Sequence, residues 1–286
     1  MNNIIDCKVI ASNILLQISN QIKLLNTTQT IIPTLAIVVI GNNQSSTIYV
    51  RNKINAANSV GIKTILVELS TSISTNSLVQ KINELNLSAD ISGIIVQLPL
   101  PIHLDKKVIL TSIDYRKDVD GFHPLNVGYL NAGFEKGFVP ATALGIIAII
   151  NHLSIKMTGL EAVIIGRSNL VGKPTSSLLL QQDCSVTICH SKTNNLATIT
   201  KRADIIISAI GKPKFLNTKF FTAKNFVIDV GINKDPISGK ICGDVDFKEV
   251  QPMVKFITPV PGGVGLLTIA CLLQNTLKAF TQQNNH

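Results

Sequence analysis

Residues 162–182 constrain this chain more than any other stretch. Ala162 to Ile165 is a short apolar run that reads as a buried strand, and Thr175 to Gln182 reads as a helix. Between them lies Gly166-Arg167-Ser168-Asn169-Leu170-Val171-Gly172-Lys173-Pro174. A strand, a glycine turn and a helix start leave free backbone N–H groups at the positive end of a helix dipole. That arrangement favours an anion such as a phosphate. The spacing departs from GxGxxG, so an ordinary tight βα turn remains the alternative reading.

The next strand narrows the choice. Ser185 to Cys189 is again apolar and β-branched. Where such a fold binds NAD, this strand usually ends in a carboxylate for the ribose 2′-OH. Here it ends in His190-Ser191-Lys192-Thr193, hydroxyls and a cation, with Arg167 nearby in the glycine turn. A guanidinium and hydroxyls suit a 2′-phosphate, so the expected ligand is NADP rather than NAD.

A chain of 286 residues allows one or two domains. Leu35 to Ile40, Thr64 to Leu69 and Gly93 to Leu98 read as strands, with helices at Ser46 to Val60 and Ser77 to Leu85 between them. The second half repeats the style at Ala162 to Ile165, Ser185 to Cys189, Asp204 to Ala209 and Phe226 to Val230. Strand–helix alternation predicts α/β architecture with parallel sheets and right-handed crossovers. The break between halves falls at Gly133 to Pro140, and helical spacing resumes over Ala143 to Ile155. Leu266, Ile269, Leu273 and Leu277 share one face of a final amphipathic helix, Leu266 to Phe280. The polar tail from Gln282 reads as frayed.

Bulk composition mainly excludes. The net charge is +9, but no run of four cations and no aromatic–basic alternation marks a nucleic-acid surface. Cys7, Cys184, Cys189, Cys242 and Cys271 are odd in number and form no CxxC, which fits reduced thiols in a cytosolic protein. No basic-then-apolar leader opens the sequence, and the apolar run at Gly145 to Ile150 is too short to span a bilayer.

Four segments carry candidate chemistry. Tyr49 and Lys53 lie four apart in an expected helix and so share a face. They read either as a solvated surface pair or as an aromatic platform beside an amine that burial turns into a base. Gln97 ends an expected strand before Leu98-Pro99-Leu100-Pro101, where its amide either ties down the proline loop or holds that amine. Lys117-Asp118-Val119-Asp120-Gly121 reads as an Asx turn or as a carboxylate for the N–H edge of a heterocycle. It lacks a third ligand for a metal. Pro259-Val260-Pro261-Gly262-Gly263-Val264-Gly265 either approaches a ligand closely or returns the chain to the first domain.

Taken in order from Tyr49 to Thr268, these segments resemble the bifunctional methylenetetrahydrofolate dehydrogenase/methenyltetrahydrofolate cyclohydrolase family. The matching motifs include Tyr49 to Lys53, Gln97 to Pro101, Lys117 to Gly121, Gly166 to Pro174 and His190 to Thr193. Asp229-Val230-Gly231-Ile232-Asn233, Gly243-Asp244-Val245-Asp246 and Pro259 to Gly265 complete the set. The resemblance implies a folate-binding catalytic domain over 1–139, a Rossmann-type NADP domain over 140–265, and a helix over 266–286 packing back on the first. It implies Lys53 as base or proton shuttle, Gln97 as its partner, Tyr49 stacked on the aminobenzoyl ring and Asp120 on the pterin edge. It places Gly166, Arg167, Ser168, Ser191, Ile232 and Thr142 at NADP, and Pro261, Gly265 and Thr268 beside the folate. It also implies tetrahydrofolate one-carbon derivatives as substrates, no metal, no nucleic-acid or membrane partner, and a cytoplasmic homodimer. Three departures stand out: Pro140-Ala141-Thr142-Ala143 where the family has Pro-Cys-Thr-Pro, Gly265-Leu266-Leu267-Thr268 where it has Gly-Pro-Met-Thr, and Tyr129 in place of an Arg. They favour one alternative, a non-catalytic or monofunctional folate-binding relative; a second, another NADP-linked two-domain dehydrogenase, is opposed by Tyr49, Lys53, Gln97 and Asp120.

Overall fold

The structure is a computed structural model that describes residues 3–25, 32–41 and 44–284. In chain order the elements are α1 (Cys7–Leu25), β1 (Thr34–Ile40), α2 (Gln44–Val60), β2 (Lys63–Leu69), α3 (Thr75–Leu87), β3 (Gly93–Val96) and α4 (Lys106–Ser112). Then come α5 (Pro124–Asn131), α6 (Ala141–His152), β4 (Glu161–Ile165), α7 (Gly172–Leu180), β5 (Ser185–Cys189), α8 (Leu196–Arg202) and β6 (Ile205–Ser208). After a 3₁₀ turn at Thr218–Phe220 follow β7 (Phe226–Asp229), β8 (Asn233–Lys234), β9 (Ile241–Cys242), α9 (Phe247–Val250), β10 (Phe256–Ile257) and α10 (Val264–Asn284). The chain forms two compact units.

One unit comprises Ser12–Ala141 and Ile269–His286. Its sheet has the order β2-β1-β3, all parallel. Leu35 to Val38 and Ile94 to Val96 are buried throughout, as expected of a parallel sheet covered on both faces. Against it packs α3 through Leu78, Ile82 and Leu85, spaced at helical intervals and started by Ser74, whose side chain accepts from the Ser77 N–H. Strand β3 ends at Val96, two residues before the expected Leu98, because Leu98-Pro99 turns the chain in a cis peptide. Asp118 bridges to Ile94 in parallel, so Lys117 to Asp120 runs alongside β3.

The last helix is tied to this unit by side chains that no apolar pattern marks. Asn275 Nδ2 donates to the carbonyls of Val119 (2.8 Å) and Val139 (2.9 Å). Lys278 Nζ donates to Glu135 O (3.0 Å) and Gly137 O (2.7 Å). Gln283 Nε2 reaches Ser92 O at 2.8 Å and Arg116 O at 3.3 Å. The expected fraying from Gln282 is therefore corrected. The helix continues to Asn284 because Gln283 supplies donors to two otherwise open carbonyls. By length and composition α10 is apolar enough to cross a membrane, but most of that stretch is buried within the protein.

The other unit comprises Met1–Ala11 and Thr142–Thr268. Residues 1–11, read above with the first domain, group here for a physical reason. Edge strand β10 has only two residues, and the amino terminus pairs with it. Ile5 N donates to Ile257 O (2.9 Å), and Ile257 N to Asn3 O (3.0 Å). The sheet order is β10-β7-β6-β4-β5, all parallel. From β4 the chain moves outward to β5, then crosses back to β6 on the other side. The crevice at the carboxyl ends of β4 and β6 is thus the topological switch point, where doubly wound folds take their ligands.

Candidate active site

In the first unit, two backbone carboxyl ends and one helix bring three of the predicted residues together. Gln97 lies one residue past β3, and its N–H donates to Val38 O at 2.8 Å. Asp120 ends the segment beside β3. Lys53 projects from α2, and its Nζ donates to Gln97 Oε1 at 2.9 Å. Gln97 Nε2 in turn donates to Leu98 O at 2.7 Å, which fixes the amide with its oxygen toward the lysine. Both readings of Gln97 therefore hold at once: the amide anchors the proline turn and holds the amine.

Electrostatics separate these groups from surface residues. Burial pulls the Lys53 ammonium below its usual range, and the nearby Asp120 charge only partly opposes this. Burial pushes the Asp120 carboxyl up, with Lys53 opposing. No described residue donates a hydrogen bond to the Asp120 carboxylate, which leaves its acceptors free for a ligand. Tyr49, one turn before Lys53, is 38% exposed, and partial burial raises its phenol.

Asp118 was not separated from Asp120 by sequence alone, and the two differ sharply. Asp118 is fully buried and accepts from His123 N (2.7 Å) and Asn126 Nδ2 (2.9 Å), so it makes the turn and starts α5. Burial lifts its carboxyl to about 7. Asp118 ties its segment to the start of α5 rather than forming an Asx turn, which would bond the N–H two residues on; Asp120 makes neither bond.

In the second unit, Gly166 follows β4 at the switch point. Its φ is +133°, and a Cβ there would lie 2.4 Å from Ala209 O beyond β6, so only glycine fits. The helix starts at Gly172, three residues before the expected Thr175, because Ser168 closes the turn early. Its Oγ accepts from Val171 N (3.1 Å), and its carbonyl accepts from Lys173 N (3.1 Å). Gly166 N donates to Cys189 O (2.9 Å), one residue beyond the β4–β5 register, and Arg167 and Ser191 each stand two residues past the end of one of these adjacent strands. Both are exposed, and neither side chain has a partner among the described residues. Thr175 Oγ1, in the first turn of α7, is buried without a partner. An unpaired guanidinium and hydroxyl past the ends of β4 and β5, with the orphaned Thr175 hydroxyl in the first turn of α7, suit a phosphorylated dinucleotide.

The remaining predicted residues also fall in this unit. Ile232 is 47% exposed just after β7, and Pro261 and Gly265 lie on the loop and first turn leading into α10. Thr142 Oγ1 and Thr268 Oγ1 meet at 3.1 Å, joining α6 to α10. Ala141, Ala143 and Leu267 pack in the core near that bond, whereas Leu266 is exposed. Ala143 and Leu267 are fully buried, and a Cβ on Gly145 would come within 2.9 Å of Leu267 Cβ. Tyr129, in the other unit, joins an aromatic cluster with Tyr115 (6.3 Å) and Phe134 (6.2 Å, edge-on).

A doubly wound sheet with a glycine turn at its switch point places the chain among dinucleotide-binding α/β proteins. Comparison with known proteins narrows that class. Residues 5–120 match the tetrahydrofolate dehydrogenase/cyclohydrolase catalytic domain, and residues 140–284 match the NAD(P)-binding domain of the same family. The chain is 58% identical over 281 residues to the bifunctional protein FolD of Rickettsia massiliae, covering 98% of this chain and 97% of that one. It superposes on the bifunctional FolD dehydrogenase/cyclohydrolase of Campylobacter jejuni with a TM-score of 0.94 at 44% identity, covering 97% and 98%. The Trypanosoma brucei FolD structure, complexed with NADP cofactor and an inhibitor, gives 0.93 at 34% identity, covering 98% and 97%. The chain belongs to the tetrahydrofolate dehydrogenase/cyclohydrolase family.

Proposed function

We propose that this protein oxidises 5,10-methylenetetrahydrofolate with NADP+ and hydrolyses the resulting methenyl compound to 10-formyltetrahydrofolate. One observation carries the reading: a half-buried amine bonded to Gln97, beside a carboxylate with no hydrogen-bond donor of its own. NADP+, when bound, supplies the hydride acceptor. The chain supplies position and proton transfer. The ring of Tyr49 offers a stacking face for the folate's aminobenzoyl group, and Asp120 accepts from the pterin N–H groups. Burial disfavours the Lys53 ammonium, and in its neutral form the amine donates one N–H to Gln97 and turns its lone pair to the water that attacks the methenyl carbon. The proton that water loses goes to Lys53, which returns it to N5 as the C–N5 bond breaks; the carbinol O–H proton leaves to solvent and the formyl group stays on N10. Thr142 and Thr268 link α6 to α10, whose first turn carries Gly265; Ile232 and Pro261 stand on the loops after β7 and before α10. A direct assay follows methenyl-folate absorbance with each dinucleotide. No methenyl product with either one would refute the reading.

Cofactor choice rests on Arg167 and Ser191 at the ends of adjacent strands. A charge-assisted contact is worth roughly 1.5–3 kcal/mol, or about ten- to a hundred-fold in affinity. Arg167→Ala should raise the KM for NADP+ by that factor and leave the KM for NAD+ nearly unchanged. Equal use of both dinucleotides by the wild type would contradict the assignment. The resemblance carries a cytoplasmic homodimer as well, and a monomeric mass by light scattering would refute the dimer.

A further inference from the structure

Two aspartates beyond the glycine turn, Asp229 and Asp244, are buried and form no ion pair among the described residues. Asp244 is fully buried and collects four donors from two separate segments. Its Oδ2 accepts from Ser208 Oγ (3.0 Å) and Ile210 N (2.8 Å), at the end of β6. Its Oδ1 accepts from Lys212 N (2.9 Å) in the same loop and from Asn233 Nδ2 (2.9 Å), just past β7. Asp229, the last residue of β7, completes the frame by accepting from Gly231 N (2.9 Å), Asp244 N (3.0 Å) and Val245 N (2.9 Å). Carboxylate and backbone meet so closely that a Cβ on Gly231 would lie 2.3 Å from Asp244 Oδ1.

This frame has two loops as its product. The first, Ala209 to Lys212, borders the switch point, since Ala209 O abuts Gly166. The second carries the exposed Ile232 between two clamped neighbours, Gly231 and Asn233. A burial this complete, with every oxygen lone pair directed at a loop donor, is costly unless the loops it fixes matter. We infer that Asp244 is the positioning residue of the dinucleotide site, a single carboxylate that locks the β6 and β7 loops in the shape that receives NADP+. It touches no cofactor itself and acts through Ile210, Lys212 and Asn233.

The inference rests on the functional reading above. The test measures NADP+ affinity by titration calorimetry, KM for NADP+ and for folate, and the melting temperature without ligand. Asp244→Asn turns one acceptor into a donor facing the Ile210 or Lys212 N–H. Asn233→Ala removes only the arm to the Ile232 loop, so it stays informative where Asp244→Asn fails to fold. Asp244→Asn should weaken NADP+ binding at least tenfold and Asn233→Ala about threefold, with the folate KM unchanged in both. Folded variants with wild-type NADP+ affinity would overturn the inference. Equal losses in NADP+ and folate KM would also overturn it, since they would mark Asp244 as general scaffolding. A wild type that binds no NADP+ would sink the functional reading itself, and this inference with it.

Discussion

Lys53→Met is expected to abolish hydrolysis of 5,10-methenyltetrahydrofolate and to spare part of the oxidation. Methionine keeps the length of the side chain and removes its proton chemistry. A positioned general base contributes about 10²–10⁴-fold, and the attacking water must lose a proton, so hydrolysis should fall by that factor. Oxidation needs no base in principle, so its loss should be smaller and should reflect folate placement. Protein stability should move the opposite way. Burial lowers the folded pKa of Lys53 below its ordinary value of 10.5. Folding therefore disfavours a proton that the unfolded chain binds, and this penalty is present at every pH below that ordinary value. Removing the amine removes the penalty, so Lys53→Met should melt at the wild-type temperature or above it. In the wild type, hydrolysis should decline as pH falls through the depressed Lys53 pKa. Unchanged hydrolysis in the mutant would exclude Lys53 as the base, and a collapsed melting temperature would assign its loss to folding.

The parts legible in the sequence share one property: their signal is local. Apolar runs such as Leu35 to Val38 and Ala162 to Ile165 are strands because a parallel sheet buries both faces, and a run of β-branched residues announces that without help. Gly166 is legible for the same reason, since a glycine after a strand marks a backbone that must approach another closely. Boundaries slipped where a side chain set the end. Gly172 begins α7 because Ser168 closes the turn, and β3 stops at Val96 because Leu98-Pro99 turns the chain. Pairings across the sequence were not legible from pattern at all. Nothing local says that Asn275 will bond Val119 and Val139, or that Asp244 will gather Ser208, Ile210, Lys212 and Asn233. The Gly243-Asp244-Val245-Asp246 motif was visible, but its role needed the topology that sets two distant segments around one carboxylate. Of the site itself, the pairing of Lys53 with Gln97 stood as one of two readings of the amide until the resemblance favoured it, because forty-four positions separate them in the chain.

Asp120→Asn tests whether this carboxylate reads the substrate or merely shapes a turn, and the structure now weights the outcome. The turn's own bonds belong to Asp118, which accepts from His123 N and Asn126 Nδ2, and to the backbone, where Gly121 N donates to Asp118 O at 3.1 Å. Asp120 takes part in none of them. Its substitution should therefore leave the melting temperature in place or raise it, since burial already disfavours the charge. Folate binding should suffer instead. An amide turns one acceptor oxygen into a donor, which faces the pterin's own donors or forces a flip that leaves one bond unmade. An unpaired buried polar group costs roughly 1–3 kcal/mol, so the folate Kd should rise about five- to a hundred-fold, and oxidation and hydrolysis should weaken together. A second effect separates this role from simple loss of a contact. The Asp120 charge holds the Lys53 pKa up, so its removal should shift the acid limb of the hydrolysis profile to lower pH. NADP+ affinity should stay unchanged, because Arg167 and Ser191 stand in the other unit. A variant that melts early and binds folate normally would return Asp120 to the turn. A variant with weakened folate and an unmoved pH profile would keep its contact with the pterin but dissolve its coupling to Lys53.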